Sequence, residues 1–170
     1  KTNCYPFSTR TPWIVRWPGK VRPGGVDRAH YISGIDFLPT ILDALKLPLS
    51  AGAEGRSFLP LLRGEAQDGR DMLFTTFHQT SGRRDYEMRA VQNKRMAYIY
   101  NAWSDAKTVF VSESTGSASF KSMQLAAETD PVIAARVRML SYRVPEELYD
   151  LEADPCCLHN LAEKPGHKSD

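Results

Sequence analysis

The chain has 170 residues, 42% of them hydrophobic and 25% charged, with 11 Gly and 11 Pro. These values predict a turn-rich globular chain holding one domain of ordinary size, or one modest domain with an appendage, and exclude a disordered one. A net charge of +2, with the basic residues scattered and not gathered in a helix-length stripe, argues against nucleic acid as a partner; no apolar run reaches membrane-spanning length, which argues against a membrane.

In chain order, Trp13 to Trp17 is a short apolar run stopped by Pro18-Gly19 and predicts a strand ending in a turn. Ser33 is placed to cap a helix whose apolar members Ile35, Leu38, Ile41, Leu42 and Leu45 recur at helical spacing. Pro39 belongs in the first turn of that helix, which puts its start near Asp36, and Leu47-Pro48 ends it. Residues 51–71 read as a connection with one helical turn around Leu59 to Leu62. Strands follow at Met72 to His78, Met88 to Gln92 and Met96 to Asn101, the last two joined by a hairpin turn. Thr108 to Val111 predicts one more short strand. Phe120 to Leu125 and Pro131 to Leu140 are helical by pattern, with Val132, Ile133, Ala135, Val137 and Leu140 on one apolar face. Tyr149 and Leu151 alternate with Asp150 and Glu152 as in a half-buried strand, and Asp154-Pro155 starts a turn that folds Leu158 and Leu161 back onto the sheet. The fold class expected is α+β, a small antiparallel sheet with covering helices. Cys4, Cys156 and Cys157 have no C-x-x-C spacing and read as inert thiols.

The run Glu147-Leu148-Tyr149-Asp150-Leu151-Glu152-Ala153-Asp154-Pro155, closed by Asn160-Leu161-Ala162, resembles the C-terminal signature of the type I sulfatases, which hydrolyse sulfate esters and sulfamates with a formylglycine nucleophile and calcium. Two earlier blocks agree in order: Arg10 to Gly19, and Ser33 to Leu45 followed by Gly55 to Leu62. Tyr86-Glu87-Met88-Arg89-Ala90-Val91-Gln92, together with Lys1-Thr2-Asn3-Cys4-Tyr5, is similar to the heparan N-sulfatase (sulfamidase) branch of this alkaline phosphatase superfamily. The resemblance implies that residues 1–50 are the terminal strand and helix of the large α/β sulfatase domain, 51–71 a linker, and 72–170 the C-terminal sulfatase subdomain.

The nucleophile motif C/S-x-P-x-R does not occur, since Cys4 is followed by Tyr5-Pro6-Phe7-Ser8 where the motif needs Arg. No Asp-Asp or Asp-Asn pair begins a calcium cage, which wants six to eight oxygen ligands. The chain alone is therefore expected to be inactive and to carry no metal site, with calcium and formylglycine implied for a longer parent. Three residues are candidates for substrate binding in that parent. Lys1 lies where the family carries a basic sulfate contact, and an ammonium suits an oxyanion. His78 ends a strand where the C-terminal domain overhangs the pocket, and Arg89 flanks the same loop as Asp85 and Glu87. The implied substrate is a sulfated sugar, N-sulfoglucosamine above others. A free-standing sugar-binding or self-associating module and a phosphonate monoester hydrolase fragment are the competing readings. Without a covering sheet, residues 11–45 would present an apolar patch, which predicts a homo-oligomer through that segment.

Overall fold

Alternation of apolar and polar side chains along four short segments builds one antiparallel sheet. In the computed structural model, which describes residues 2–164 and 166, these are β1 (Leu73–Gln79), β2 (Asp85–Gln92), β3 (Met96–Asn101) and β4 (Glu146–Asp150), in the order β1-β2-β3-β4. The arrangement is α+β, with helices α4 (Ala118–Ala126) and α5 (Pro131–Tyr142) packed on each other. Register sets Met88 opposite Asn101, Ala90 opposite Ile99, Ile99 opposite Glu147 and Ala97 opposite Tyr149, so all these side chains share one face. That face is the core, where Met88, Ile99 and Tyr149 meet Cys4, Tyr5, Tyr86, Phe110 and Cys157. Each large side chain fully buried there is worth about 1.5–3 kcal/mol.

The chain divides into two units, Lys1–Arg10 with Phe74–Asp170, and Thr11–Leu73. The first ten residues thus group with the sheet, whereas the sequence blocks had grouped 1–50 together. A short helix α1 (Pro6–Thr9) follows Tyr5 in that unit. In the other unit lie a 3-10 turn (Gly34–Asp36), α2 (Phe37–Ala44) and α3 (Leu59–Leu62). Ser33 and Asp36 form a reciprocal capping box at the turn that leads into α2.

Several expectations are corrected. Residues 11–17 form no strand, for they have no ladder partner among the described residues. Residues 108–111 are not a strand either: the Tyr86 hydroxyl donates to the Val109 carbonyl and accepts from the Val111 N–H, while the Phe110 N–H donates to Ser141 O. One side chain and a helix end satisfy the backbone that a neighbouring strand would otherwise have paired. Cys157, with φ 52°, turns into the core in place of Leu158, which is exposed, although Leu161 does return to donate to Leu148 O. On α5, Val132 sits in the exposed first turn beside the Asp130 cap and not on the packed face. The apolar stripe of α2 points outward: Ile35, Phe37, Leu38, Ile41 and Leu45 are exposed, while Asp36, Pro39 and Thr40 form the buried side. Among the described residues no helix is long and apolar enough to cross a membrane.

Candidate functional site

β4 carries a carboxylate into the core. Glu147 alternates with Tyr149 on the packed face and is 1% exposed. Its Oε2 accepts from the Tyr5 hydroxyl at 2.5 Å and from the Tyr149 hydroxyl at 2.6 Å, and its Oε1 accepts from Asn101 Nδ2 at 2.7 Å. Arg143 Nη1 stands 3.9 Å from Oε1 and donates to the Tyr5 hydroxyl at 2.5 Å. The Arg143 guanidinium also lies 4.8 Å from the Tyr5 ring centroid and 5.3 Å from that of Phe110, a cation–π arrangement on two faces. All of these partners are buried.

The geometry of this cluster has a cost. Arg143 follows α5 with φ 58°, a left-handed conformation that costs a non-glycine residue about 1–3 kcal/mol, and its Nε is buried without a partner. Burial raises the Tyr5 phenol above its ordinary value; the Arg143 charge pulls it partway back and Glu147 raises it again. Tyr149 is raised by burial first and then by Tyr5 and Glu147. Both hydroxyls therefore stay protonated donors at neutral pH.

Through Tyr5 the cluster reaches the amino-terminal segment. The Tyr5 N–H donates to Asn3 Oδ1 at 3.1 Å, and Thr2 and Cys4 are buried on either side of Asn3. Lys1, the proposed sulfate contact, lies outside the described residues. Arg89 is exposed on the sheet face opposite the core, its Nη1 donating to Met88 O at 2.9 Å, and its charge reaches the Cys4 thiol. Burial nevertheless pushes that thiol up to about 11, against the Arg89 and Arg143 charges. His78 is exposed on β1 and has no hydrogen-bond or ion-pair partner among the described residues. Asp85 accepts from Gln79 Nε2 at 2.7 Å, so it is tied to the neighbouring strand. Glu147, Tyr5, Asn101 and Arg143 were not singled out in the sequence, although the period-2 run Glu147-Tyr149-Leu151 places Glu147 on the packed face.

The second unit has its own buried pair. Arg70 Nη1 donates to Asp36 Oδ2 at 2.6 Å, its Nη2 donates to the carbonyls of Arg56 and Ser57, and its Nε donates to Gln67 Oε1. Asp36 also accepts from the N–H groups of Ser33 and Arg56. Gly55 lets the loop come this close, because a Cβ there would fall on the Ile35 carbonyl. A cavity of about 160 Å³ in this unit is lined by Trp17, Lys20, Lys46, Leu59, Leu62 and Arg63 among others. Its lining holds basic and apolar side chains and no carboxylate or histidine. Among the described residues no three His, Cys, Asp or Glu side chains gather where they could hold a metal ion.

The family model described as N-sulphoglucosamine sulphohydrolase, C-terminal, matches residues 1–111. An ulvan-active sulfatase of Formosa agariphila is 28% identical over 164 residues, covering 94% of this chain and 30% of that protein. Human N-sulphoglucosamine sulphohydrolase is 27% identical over 176 residues, covering 97% of this chain and 35% of that protein. A phosphonate monoester hydrolase from Silicibacter pomeroyi superposes with a TM-score of 0.59 at 21% identity, over 91% of this chain and 25% of that one, a likeness of fold. The chain spans 30% and 35% of the length of these two curated relatives.

Proposed function

We propose, from the premise that this chain belongs to the N-sulphoglucosamine sulphohydrolase C-terminal family, that it is the C-terminal portion of an enzyme that removes sulfate from sulfated sugars, with N-sulfoglucosamine as its substrate. It is a sulfatase C-terminal domain, and its relatives are sulfatase hydrolases. The observation that carries the finer reading is the family match over residues 1–111, which contains both the Lys1-Thr2-Asn3-x-Tyr5 segment and the Tyr86-x-Met-Arg strand.

In this reading Lys1 supplies a compact positive charge to the sulfate oxygens, where charge grows as the ester or sulfamate bond breaks. His78 and Arg89 offer hydrogen bonds to the sugar from one face of the sheet. The residues of this chain do not fit the formylglycine or the calcium of the family. Cys4 lies in the core without the required Arg four positions on, and no carboxylate cage forms among the described residues. The 170-residue chain by itself is proposed to be inactive.

The test is hydrolysis by the protein expressed from the reading frame that contains this chain, beside the 170-residue chain alone. Substrates are N-sulfoglucosamine, glucosamine 6-sulfate and a phosphonate monoester, with sulfate or alcohol release measured by chromatography. Release of N-sulfate by the longer protein only is the expected result. Turnover of the phosphonate ester alone would favour the phosphonate monoester hydrolase reading, and sulfate release by the 170-residue chain would refute its proposed inactivity.

A further inference from the structure

We propose that the cavity in the unit formed by Thr11–Leu73 is a binding site for a sulfate group carried on a sugar ring, with Lys20, Lys46 and Arg63 serving the sulfate and Trp17 the ring. That the cavity takes an anion follows from its own lining; that the anion is a sulfate on a sugar rests on the sulfatase reading above.

The charge in the lining is unbalanced. Lys20, Lys46 and Arg63 all line the cavity and no carboxylate does. None of the three side chains has a hydrogen-bond or ion-pair partner among the described residues. Asp43, the carboxylate of α2, lies outside the lining and accepts from the Ser57 hydroxyl at 2.6 Å. Lys46 and Arg63 follow the ends of α2 and α3, where a basic side chain often serves the helix dipole. Two helix ends, however, carry at most about one negative charge between them, so three cations leave the cavity positive.

The aromatic wall is uncommitted as well. Of the three Trp side chains, Trp13 packs against Phe37 and Phe58, and Trp103 against Tyr86 and Phe110. Trp17 is half-buried and has neither a ring partner nor an acceptor for its indole N–H among the described residues. A broad apolar ring with an unused donor suits the face of a sugar and one of its hydroxyls. Backbone bonds set the walls in advance. Trp17 O accepts from the N–H of Lys20 at 3.1 Å and of Val21 at 3.0 Å, and the Leu47 N–H donates to Leu42 O at 2.8 Å past a Lys46 with φ 57°. Gly usually takes that left-handed position, so a long basic side chain there runs against the backbone preference. At about 160 Å³ the space is smaller than the roughly 300–1,000 Å³ that enclose a drug-sized ligand, and it fits one ring or one charged group of a longer sugar chain.

The experiment titrates the 170-residue chain with a tetrasaccharide that contains N-sulfoglucosamine, by calorimetry, with the unsulfated tetrasaccharide and ATP as comparisons. The sulfated sugar is expected to bind more tightly than either. Lys20→Gln with Lys46→Gly should weaken that binding about 3- to 30-fold without lowering the urea midpoint, because Gly suits position 46 better than Lys does. Trp17→Leu should weaken it too. Lys94→Gln with Lys121→Gln removes the same charge from exposed side chains elsewhere and should leave it unchanged. Unaltered affinity in either cavity variant, an equal loss in the Lys94 and Lys121 control, or the unsulfated sugar or ATP bound as tightly as the sulfated one would overturn the proposal. The protein from the full reading frame serves in the same titrations, with the same outcomes, should the shorter chain not fold. Hydrolysis by that longer protein separates the two readings. If it releases no sulfate while the cavity variants still lose the sugar, the site stands and the sulfatase reading falls; if it releases sulfate while the variants bind as before, the reverse holds.

Discussion

The Tyr5 hydroxyl donates to Glu147 Oε2 at 2.5 Å across a separation of 142 positions in the chain. That bond closes the unit formed by the first ten residues and the sheet, and it joins a carboxylate whose other donors are Tyr149 and Asn101. Replacing Glu147 by Ala would leave the Arg143 guanidinium buried without its counter-charge and three donors without an acceptor. The expected loss is about 3–5 kcal/mol, read as a lower urea midpoint at unchanged slope. Glu147→Gln keeps one acceptor and the volume, and should cost less, about 1–3 kcal/mol. A Glu147→Ala chain as stable as the parent would mean that the cluster is not formed.

Asp36 and Arg70 make the other unit sensitive to acid. Burial alone would raise the Asp36 carboxyl, but the N–H groups of Arg56 and Ser33 and the Arg70 guanidinium outweigh it and hold it below its ordinary value. A carboxylate depressed in the folded state stabilises at every pH above its unfolded value of about 3.9, and the effect is lost as pH falls from there through the folded value. Asp36→Asn should therefore lower stability by an amount that is constant between about pH 6 and 8 and shrinks below about pH 4. Urea midpoints of parent and variant at pH 7 and pH 3 check this. A gap between them that widens in acid would reverse the sign and refute the assignment.

Much of the sheet and helix pattern was legible because it is local. Period-2 alternation marks β2 and β3, and the Asp130-Pro131 start marks α5, since Asp130 accepts from Val132 N and Ile133 N in the first turn. The apolar stripe of α2 was legible as a stripe, but its direction was not. Helical spacing states that one face is apolar and says nothing of whether Arg70, 34 positions away from Asp36, will claim the opposite face for a salt bridge. The same limit applies to residues 108–111, whose composition suits a strand but whose partner is the Tyr86 hydroxyl. His78 and Arg89 could be placed on strands, yet their common outward face follows only from the burial of Phe77, Tyr86 and Met88 beside them. Glu147 was hidden by its type: an acidic residue at a strand end reads as solvated unless its distant partners are known.

The three cysteines should react in two classes. Cys156 is exposed, whereas Cys4 and Cys157 are buried. Burial first, and then the Asp154 and Glu147 charges, push the Cys157 thiol up to about 12, so neither buried thiol offers much thiolate at neutral pH. Iodoacetamide at pH 8 is expected to label one cysteine per folded chain and all three in urea, counted by mass spectrometry. Fast labelling of Cys4 in the folded chain would show that the amino-terminal segment leaves the core.

The last expectation concerns association, which we propose runs through residues 11–45. Ile14 is 91% exposed, and Ile35, Phe37, Leu38, Ile41 and Leu45 stand out along the outer side of α2. Trp13 is drawn back only as far as edge contacts with Phe37 and Phe58, at 5.6 and 5.7 Å between centroids. Residues 11–17 add a backbone with no strand partner among the described residues, and the exposed side chains of this region are open to a neighbour. A contiguous apolar face of this kind marks a surface that another chain or domain covers. In the 170-residue chain by itself, the available cover is a second copy, and a two-fold dimer would set each α2 stripe against its counterpart. Light scattering should then show mass rising with concentration. Leu38→Glu with Ile41→Lys should return the chain to monomer without lowering its urea midpoint, because both side chains lie outside the core. A strict monomer at high concentration, with strong amide protection across residues 13–17, would show that this face is already covered within the chain and would exclude the dimer.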